Sequence, residues 1–346
     1  MKIKLNKKII FNDNSVPLLI AEISANHNGN KKRFLNHIKL AHKNGADLIK
    51  IQTYEEQDIT LPKYSKKFTF NSELWKDISL WELYKKAKTP YRWHYDAFKL
   101  AKKIGAVLFS TPFSLNAVDF LEKLNVPIYK IASFEITDYS LINKIAKTKK
   151  PIIISTGMAT QREISNCLKI INKYHNKVII LHCVSGYPTP SKEANIKSIL
   201  KLKEIFKKNM IGLSDHTDNI YSSIAASTMG IVAIEKHFCI DNKKTFDSAF
   251  SIKPNQLKTL KQIITEVPKT LGLKKIFLNK SEKKFLSKRR SIFSSQDIKK
   301  GEQFTEDNII SLRPKVGICA TNYFKILGKK SKKYINKLSP IYKNYF

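Results

Sequence analysis

MIGLSDHTDNIYSSIAASTMGIVAIEKH (210–237) holds two short apolar runs, MIGLSDH (210–216) and IVAIEKH (231–237), with a segment of helical spacing between them. The first ends on Ser214 and His216, the second on Glu235 and His237. Short apolar runs that finish on polar residues read as buried strands whose carboxyl ends open onto a site. Six more runs upstream repeat the pattern: PLLIAE (17–22), ADLIKIQ (46–52), AVLFST (106–111), PIYKIAS (127–133), PIIIS (151–155) and VIILHC (178–183). Strands that alternate with helices pair in parallel through crossovers, and eight such units close into a (β/α)8 TIM barrel. Barrel chemistry sits at the carboxyl ends of the strands. Here those ends carry Glu22, Lys50, Gln52, Thr111, Lys130, Ser133, Ser155, Ser214, His216, Glu235 and His237.

At 346 residues the chain has room for one barrel and a small extra domain. The expected division is a barrel over 1–275, a charged linker over 276–288 and a compact domain of short strands over 289–346. Residues 1–16 read as a hairpin closing the barrel floor. The long interruption 53–90, with an aromatic-rich helix expected over 75–88, reads as a lid over the mouth or an oligomer contact. A second insert, 239–253, follows the last strand. No run reaches the length of a bilayer span, and MKIKLNKKIIF lacks the apolar core of a signal peptide, so a cytoplasmic protein with no membrane partner is expected. Four cysteines without metal-type or paired spacing fit a reducing compartment and read as packing residues.

The net charge of +35 raises the possibility of nucleic acid. Almost all of it is lysine, whereas base readers favour the bidentate fork of arginine. The lysines also run from end to end without a nucleic-acid motif, so they read as a solvated surface and no nucleic-acid partner is expected. The positive field should still draw anionic substrates.

His216 and His237 end strands one unit apart. Neighbouring strands are ~4.8 Å apart, so two imidazoles at matching heights can share a metal ion or can simply be hydrogen-bonded at the barrel mouth. Two nitrogens would leave positions open for Lewis-acid chemistry, and mixed nitrogen–oxygen ligation suits Mn²⁺, Mg²⁺ or Co²⁺. Lys50 and Lys130 with Thr111, Ser133, Ser155 and Ser214 offer cations and hydroxyls for a phosphate-plus-carboxylate substrate. A strand-end serine alone usually caps the next helix, but this many on one rim are harder to set aside. Ser155-Thr156-Gly157 can add backbone N–H groups. Glu22 precedes the Asn26-His27-Asn28-Gly29 turn and can orient or deprotonate a water. Glu135 is a candidate for gripping sugar hydroxyls, and Asp247 a weaker one.

The strings AEISANHNG (21–29), LIKIQT (48–53), FSTPF (109–113), YKIASFEI (129–136), ISTGMA (154–159), LHCVSGYPTP (181–190), GLSDHT (212–217) and EKHF (235–238) resemble the sialic acid (nonulosonic acid) synthase family. That resemblance covers the barrel, and 289–346 resembles the family's antifreeze-like (SAF) domain. It implies condensation of phosphoenolpyruvate with an amino sugar. ISANHNG, LWELYKKAKTPYRWH (80–94) and FDSAFS (246–251) are closest to the pseudaminic acid branch, which implies 2,4-diacetamido-2,4,6-trideoxy-L-altrose as the sugar. N-acetylneuraminate or legionaminate synthesis is the alternative. A Schiff-base aldolase using Lys130 and a polyanion-binding protein are more distant ones.

The resemblance assigns His216 and His237 to a divalent metal, and Lys50, Thr111, Lys130, Ser133, Ser155 and Ser214 to phosphoenolpyruvate. It assigns Glu22 to the attacking water. Gln52, Glu135, Ser185, Tyr187 and Asp247 complete the substrate set. Arg313 matches the arginine that a domain-swapped homodimer extends into its partner's barrel, although Lys315 stands where the family motif usually has glycine.

Overall fold

The computed structural model describes residues 2–7, 9–13, 16–69, 75 and 77–346. Strands β1 (Lys2–Lys4) and β2 (Ile10–Asn12) form an antiparallel hairpin. Eight parallel strands follow: β3 (Leu18–Glu22), β4 (Leu48–Thr53), β5 (Val107–Pro112), β6 (Tyr129–Ile131), β7 (Ile152–Ser155), β8 (Val178–Cys183), β9 (Met210–Asp215) and β10 (Ala233–His237). They close in chain order, with β10 pairing back onto β3 so that His237 faces Glu22 across the seam. Six lie within the apolar runs from which they were expected, and β4 and β5 run one residue past theirs, to Thr53 and Pro112.

The period of two along each strand builds two cores. One phase, with Leu19, Ala21, Ile49, Ile51, Ile152, Ile154, Ile211 and Leu213, packs outward against the helices. The other, with Ile20, Leu48, Phe109, Ile153, Ile179 and Leu181, fills the barrel interior, and Ile3, Ile9 and Phe11 of the hairpin belong to the same cluster. The hairpin therefore seals the lower end, as expected. Gly212 is needed where strands crowd: a Cβ there would lie 2.5 Å from the Leu181 side chain and 2.6 Å from the Ala233 carbonyl oxygen. Helix Gln161–Ile171 shows how the outer layer is made. Thr160 and Glu163 form a capping box, and Ile164, Cys167, Leu168 and Ile171 fall on one buried face. Full burial of each aliphatic side chain of that kind contributes about 1.5–3 kcal/mol.

The insert after β4 begins with helix Glu56–Ile59 and ends with helix Leu80–Ala87. The expected 75–88 helix starts later because Ser79 caps it, accepting the Glu82 N–H, and Asp77 holds a positive φ of 61°. Position 76 lies outside the described residues. The Lys88 ammonium clamps the insert's two ends through Glu55 and Glu56. His27 meets Thr89 at 3.1 Å, and burial pushes its imidazole down to about 4, a neutral structural role.

The chain divides between residues 272 and 273. In the second unit β11 (Ser291–Ser294) pairs antiparallel with β12 (Ile309–Leu312), over a core of Ile292, Ile298, Phe304, Ile326, Ile335 and Ile341. Residues 276–288 group with this unit: Lys283–Lys288 forms a 3-10 turn, and Ser287 accepts the Lys315 N–H. Among the described residues no helix is long and apolar enough to cross a membrane.

Candidate active site

The inward phase that supplies Ile20, Leu48 and Ala233 lower down supplies Glu22, Lys50 and Glu235 one step up the same strands. The site is the top layer of the barrel interior, where polar side chains replace aliphatic ones. The Lys50 Nζ lies 2.7 Å from Glu22 Oε2 and 3.1 Å from Glu235 Oε1. Lys130 reaches Glu235 Oε1 at 3.1 Å from β6, diametrically opposite β10. Ser214 Oγ donates to the same oxygen at 3.2 Å, and Lys50 donates to Thr111 at 3.5 Å. These side chains are buried.

Two carboxylates thus alternate with two ammonium groups. Burial alone would raise the Glu235 carboxyl, but Lys130 and Lys50 together hold it down near about 2. Burial, helped by Glu235, raises Glu22 against the pull of Lys50. Burial lowers Lys130, with Lys50 adding to the effect and Glu235 opposing it.

Beside this quartet is a hydroxyl-lined cradle. The Gly157 N–H donates to Ser133 Oγ at 3.1 Å, while the buried Ser155 and Ser185 hydroxyls have no hydrogen-bond partner among the described residues. A Cβ at Gly157 would fall 2.1 Å from Ser185 Oγ and 2.8 Å from Ser133 Oγ, so the cradle closes only around glycine. Unpartnered buried hydroxyls are costly unless a ligand completes them.

His216 and His237 stand side by side, ring centroids 5.2 Å apart. His216 Nδ1 lies 2.8 Å from the Val184 carbonyl oxygen, which can only accept. Nδ1 therefore carries a proton, and although burial disfavours the charged ring, Cys183, the Val184 carbonyl and Glu235 together raise His216 above its ordinary value. His237 Nδ1 has no partner, and burial, reinforced by His216 and the lysines, pushes that ring well below its ordinary value into the neutral form. Two adjacent imidazoles fit a shared divalent ion, which would displace the proton from His216 Nε2. Among the described residues no group of three or more His, Cys, Asp and Glu forms a fuller cage.

Cys183, read from sequence as packing, faces the site with its Sγ 3.7 Å from His216 Nδ1. Burial raises the thiol, but His216, with Ser133 and Lys130, more than offsets this and brings it to about 7.

The pocket above these groups has a different wall. Ile59, Trp75, Leu83, Tyr84 and Ala87 of the insert line it together with Phe113. The insert is thus a wall of the mouth. Gln52, Glu135, Tyr187 and Asp247 face the same cavity, and Tyr187 stacks on His216 at 4.5 Å. Asp247 accepts the Ala25 N–H at 3.1 Å, joining the loops after β3 and β10. Glu22 and Thr111 contact the Lys50 ammonium and are not among the residues that line the cavity. Arg313 is an exposed residue of the second unit. The sequence reading placed Glu235 on the rim without a role, and it missed Cys183 and the insert's Trp75 and Tyr84.

Glu135 carries a testable charge. Its Oε2 is shut off from solvent and unpartnered, and burial pushes the carboxyl up to about 7. From its ordinary 4.5 up to about 7 the folded chain holds more protons here than the unfolded chain. Stability is therefore lost across that window as pH rises. Glu135→Gln should gain roughly 1–3 kcal/mol at pH 8 and well under half of that at pH 5. Thermal melts at the two pH values check this; an equal gain at both would contradict it.

Residues 37–276 match the model of the NeuB family, and residues 289–346 match the SAF domain. A pseudaminic acid synthase of Helicobacter pylori is 41% identical over 94% of this chain and 96% of its own. An N,N'-diacetyllegionaminic acid synthase of Campylobacter jejuni is 39% identical, with 90% and 95% covered. The crystal structure of an N-acetylneuraminic acid synthetase from Leptospira borgpetersenii superposes with a TM-score of 0.72 at 29% identity, covering 82% of this chain and 94% of that one.

Proposed function

The chain belongs to the NeuB family, and from that footing we propose that it condenses phosphoenolpyruvate with 2,4-diacetamido-2,4,6-trideoxy-L-altrose, giving pseudaminate and phosphate. The observation that carries the reading is the pairing of a cationic, hydroxyl-lined floor with an apolar wall in one pocket. The floor suits a phosphate and a carboxylate. The wall suits a 6-deoxy sugar with two acetamido methyls better than N-acetylmannosamine, whose extra hydroxyls would be desolvated there without partners.

In this reading Lys50, Lys130, Ser133, Ser155 and Ser214 bind phosphoenolpyruvate, with Thr111 holding the Lys50 ammonium and Ser185 supporting the cradle. Gln52, Glu135, Tyr187 and Asp247 orient the sugar. His216 and His237 would hold a divalent ion, Mn²⁺, Mg²⁺ or Co²⁺. When bound, that ion would polarise the aldehyde oxygen of the open-chain sugar. The C3 methylene of phosphoenolpyruvate forms the new bond to the aldehyde carbon as the C2–C3 double bond opens, the aldehyde oxygen takes a proton to become a hydroxyl, and water adds at C2. Glu22 Oε2, released as Lys50 turns toward the substrate anion, takes the water proton, a task to which its burial-raised carboxyl is suited. Lys50 and Lys130 stabilise the phosphate as its C2–O bond breaks and the C2 hydroxyl becomes the ketone. We further propose a domain-swapped homodimer in which Arg313 completes the partner's sugar site.

Phosphate release from phosphoenolpyruvate with Mn²⁺ tests the substrate. Turnover is expected with the diacetamido-trideoxy-altrose, with kcat/KM at least about 100-fold lower for N-acetylmannosamine and the legionaminate precursor. A preference for either of those sugars would keep the chemistry and overturn the substrate. No release with any of the three would overturn the synthase reading.

A further inference from the structure

Each of the two site histidines is preceded by a charged residue that points the other way, out of the barrel and into the helix layer. Asp215 precedes His216, Lys236 precedes His237, and Asp215 and Lys236 are direct partners in the β9–β10 register. Both are buried, with Lys236 fully so. Lys236 Nζ lies 3.2 Å from Asp215 Oδ2 and also donates to the backbone carbonyl and the hydroxyl of Thr217. Asp215 Oδ1 accepts the Thr217 N–H at 2.9 Å and its Oγ1–H at 2.7 Å, while Oδ2 accepts Ser223 Oγ at 2.6 Å. One ammonium thus grips the residue on either side of His216, while its own backbone carries His237.

We propose that Lys236, with Asp215 and Thr217, is a positioning device that sets His216 and His237 at the separation a shared divalent cation requires; this rests on the metal reading above. A buried ion pair is a weak source of net stability compared with apolar residues of the same size. What it supplies is geometry. Charged and hydroxyl partners fix distances between two strand ends that aliphatic packing would leave free to slide, and metal ligation tolerates only about ±0.2 Å. Residues behind metal ligands commonly shift affinity by about 10–100-fold.

The test is Mn²⁺ titration calorimetry on the full chain, with thermal melts alongside. Wild type is expected to bind Mn²⁺ and His237→Ala to lose binding. Lys236→Met should weaken binding about 10–100-fold. Thr217→Val, a milder change that keeps shape, should weaken it by about 3–10-fold with little change in melting temperature, and Thr217→Ser should restore it. Wild-type affinity in Thr217→Val, and in Lys236→Met if that variant folds, would overturn this proposal while a silent His237→Ala left the metal reading standing. No Mn²⁺ binding by wild type would overturn both.

Discussion

Glu235→Gln is expected to lose about 10²–10³ in kcat while leaving a folded protein. Among the described residues Glu235 is the only carboxylate in ion-pair contact with Lys130 and one of two beside Lys50. Without its charge, burial and Lys50 push the Lys130 amine toward the neutral form, with Cys183 opposing them. A neutral amine cannot stabilise a departing phosphate. The residual activity should therefore rise as pH falls from 8 to 6, because protons restore the missing cation. Steady-state kinetics across that range read this directly. Full activity with an unchanged profile would show that Glu235 is a spectator. Glu235→Ala is the harsher change: breaking a buried ion pair from one side costs roughly 3–5 kcal/mol, visible in denaturant melts.

His237→Ala is expected to reduce turnover by at least about 10³-fold with the fold intact. Its Nδ1 has no hydrogen-bond partner among the described residues, and its ring lies edge-on to Phe250 at 4.8 Å. Deleting an unpartnered buried imidazole removes an unmet polar group as well as some packing, so the melting temperature should change little. The variant is compared with wild type before and after chelation. Normal activity of His237→Ala under metal-free conditions would remove the histidines from the chemistry. A collapsed melt would instead assign His237 to structure.

The barrel was legible because parallel strands covered on both faces must be apolar along their length, and each of the eight runs carries that mark. The floor hairpin was legible in the alternation around Ile3, Ile9 and Phe11. The late start of helix Leu80–Ala87 could have been read from Ser79 and Glu82, a cap signal spaced three apart. Cys183 also carried a signal, since the phase of VIILHC turns it inward with Leu181. Glu235 was different. Its bond to Lys130 joins strands on opposite sides of a closed barrel, and no spacing along a chain encodes such a meeting. That Glu22 is left out of the cavity lining was hidden for the same reason: strand position gives the phase of a side chain, whereas its exposure to the cavity depends on the side chains around it. The insert's wall residues carried no pattern that tied them to the mouth.

The hairpin at the barrel's base has a kinetic consequence. With Ile3, Ile9 and Phe11 corking one end, traffic in and out must share a single doorway. If phosphoenolpyruvate sits on the lysine floor and the sugar against the insert's wall, the deeper molecule has to arrive first. Phosphate, formed at the bottom, is then shut in beneath the larger product. The catalytic cycle becomes a stack, last in and first out, with nonulosonic acid departing before phosphate can follow.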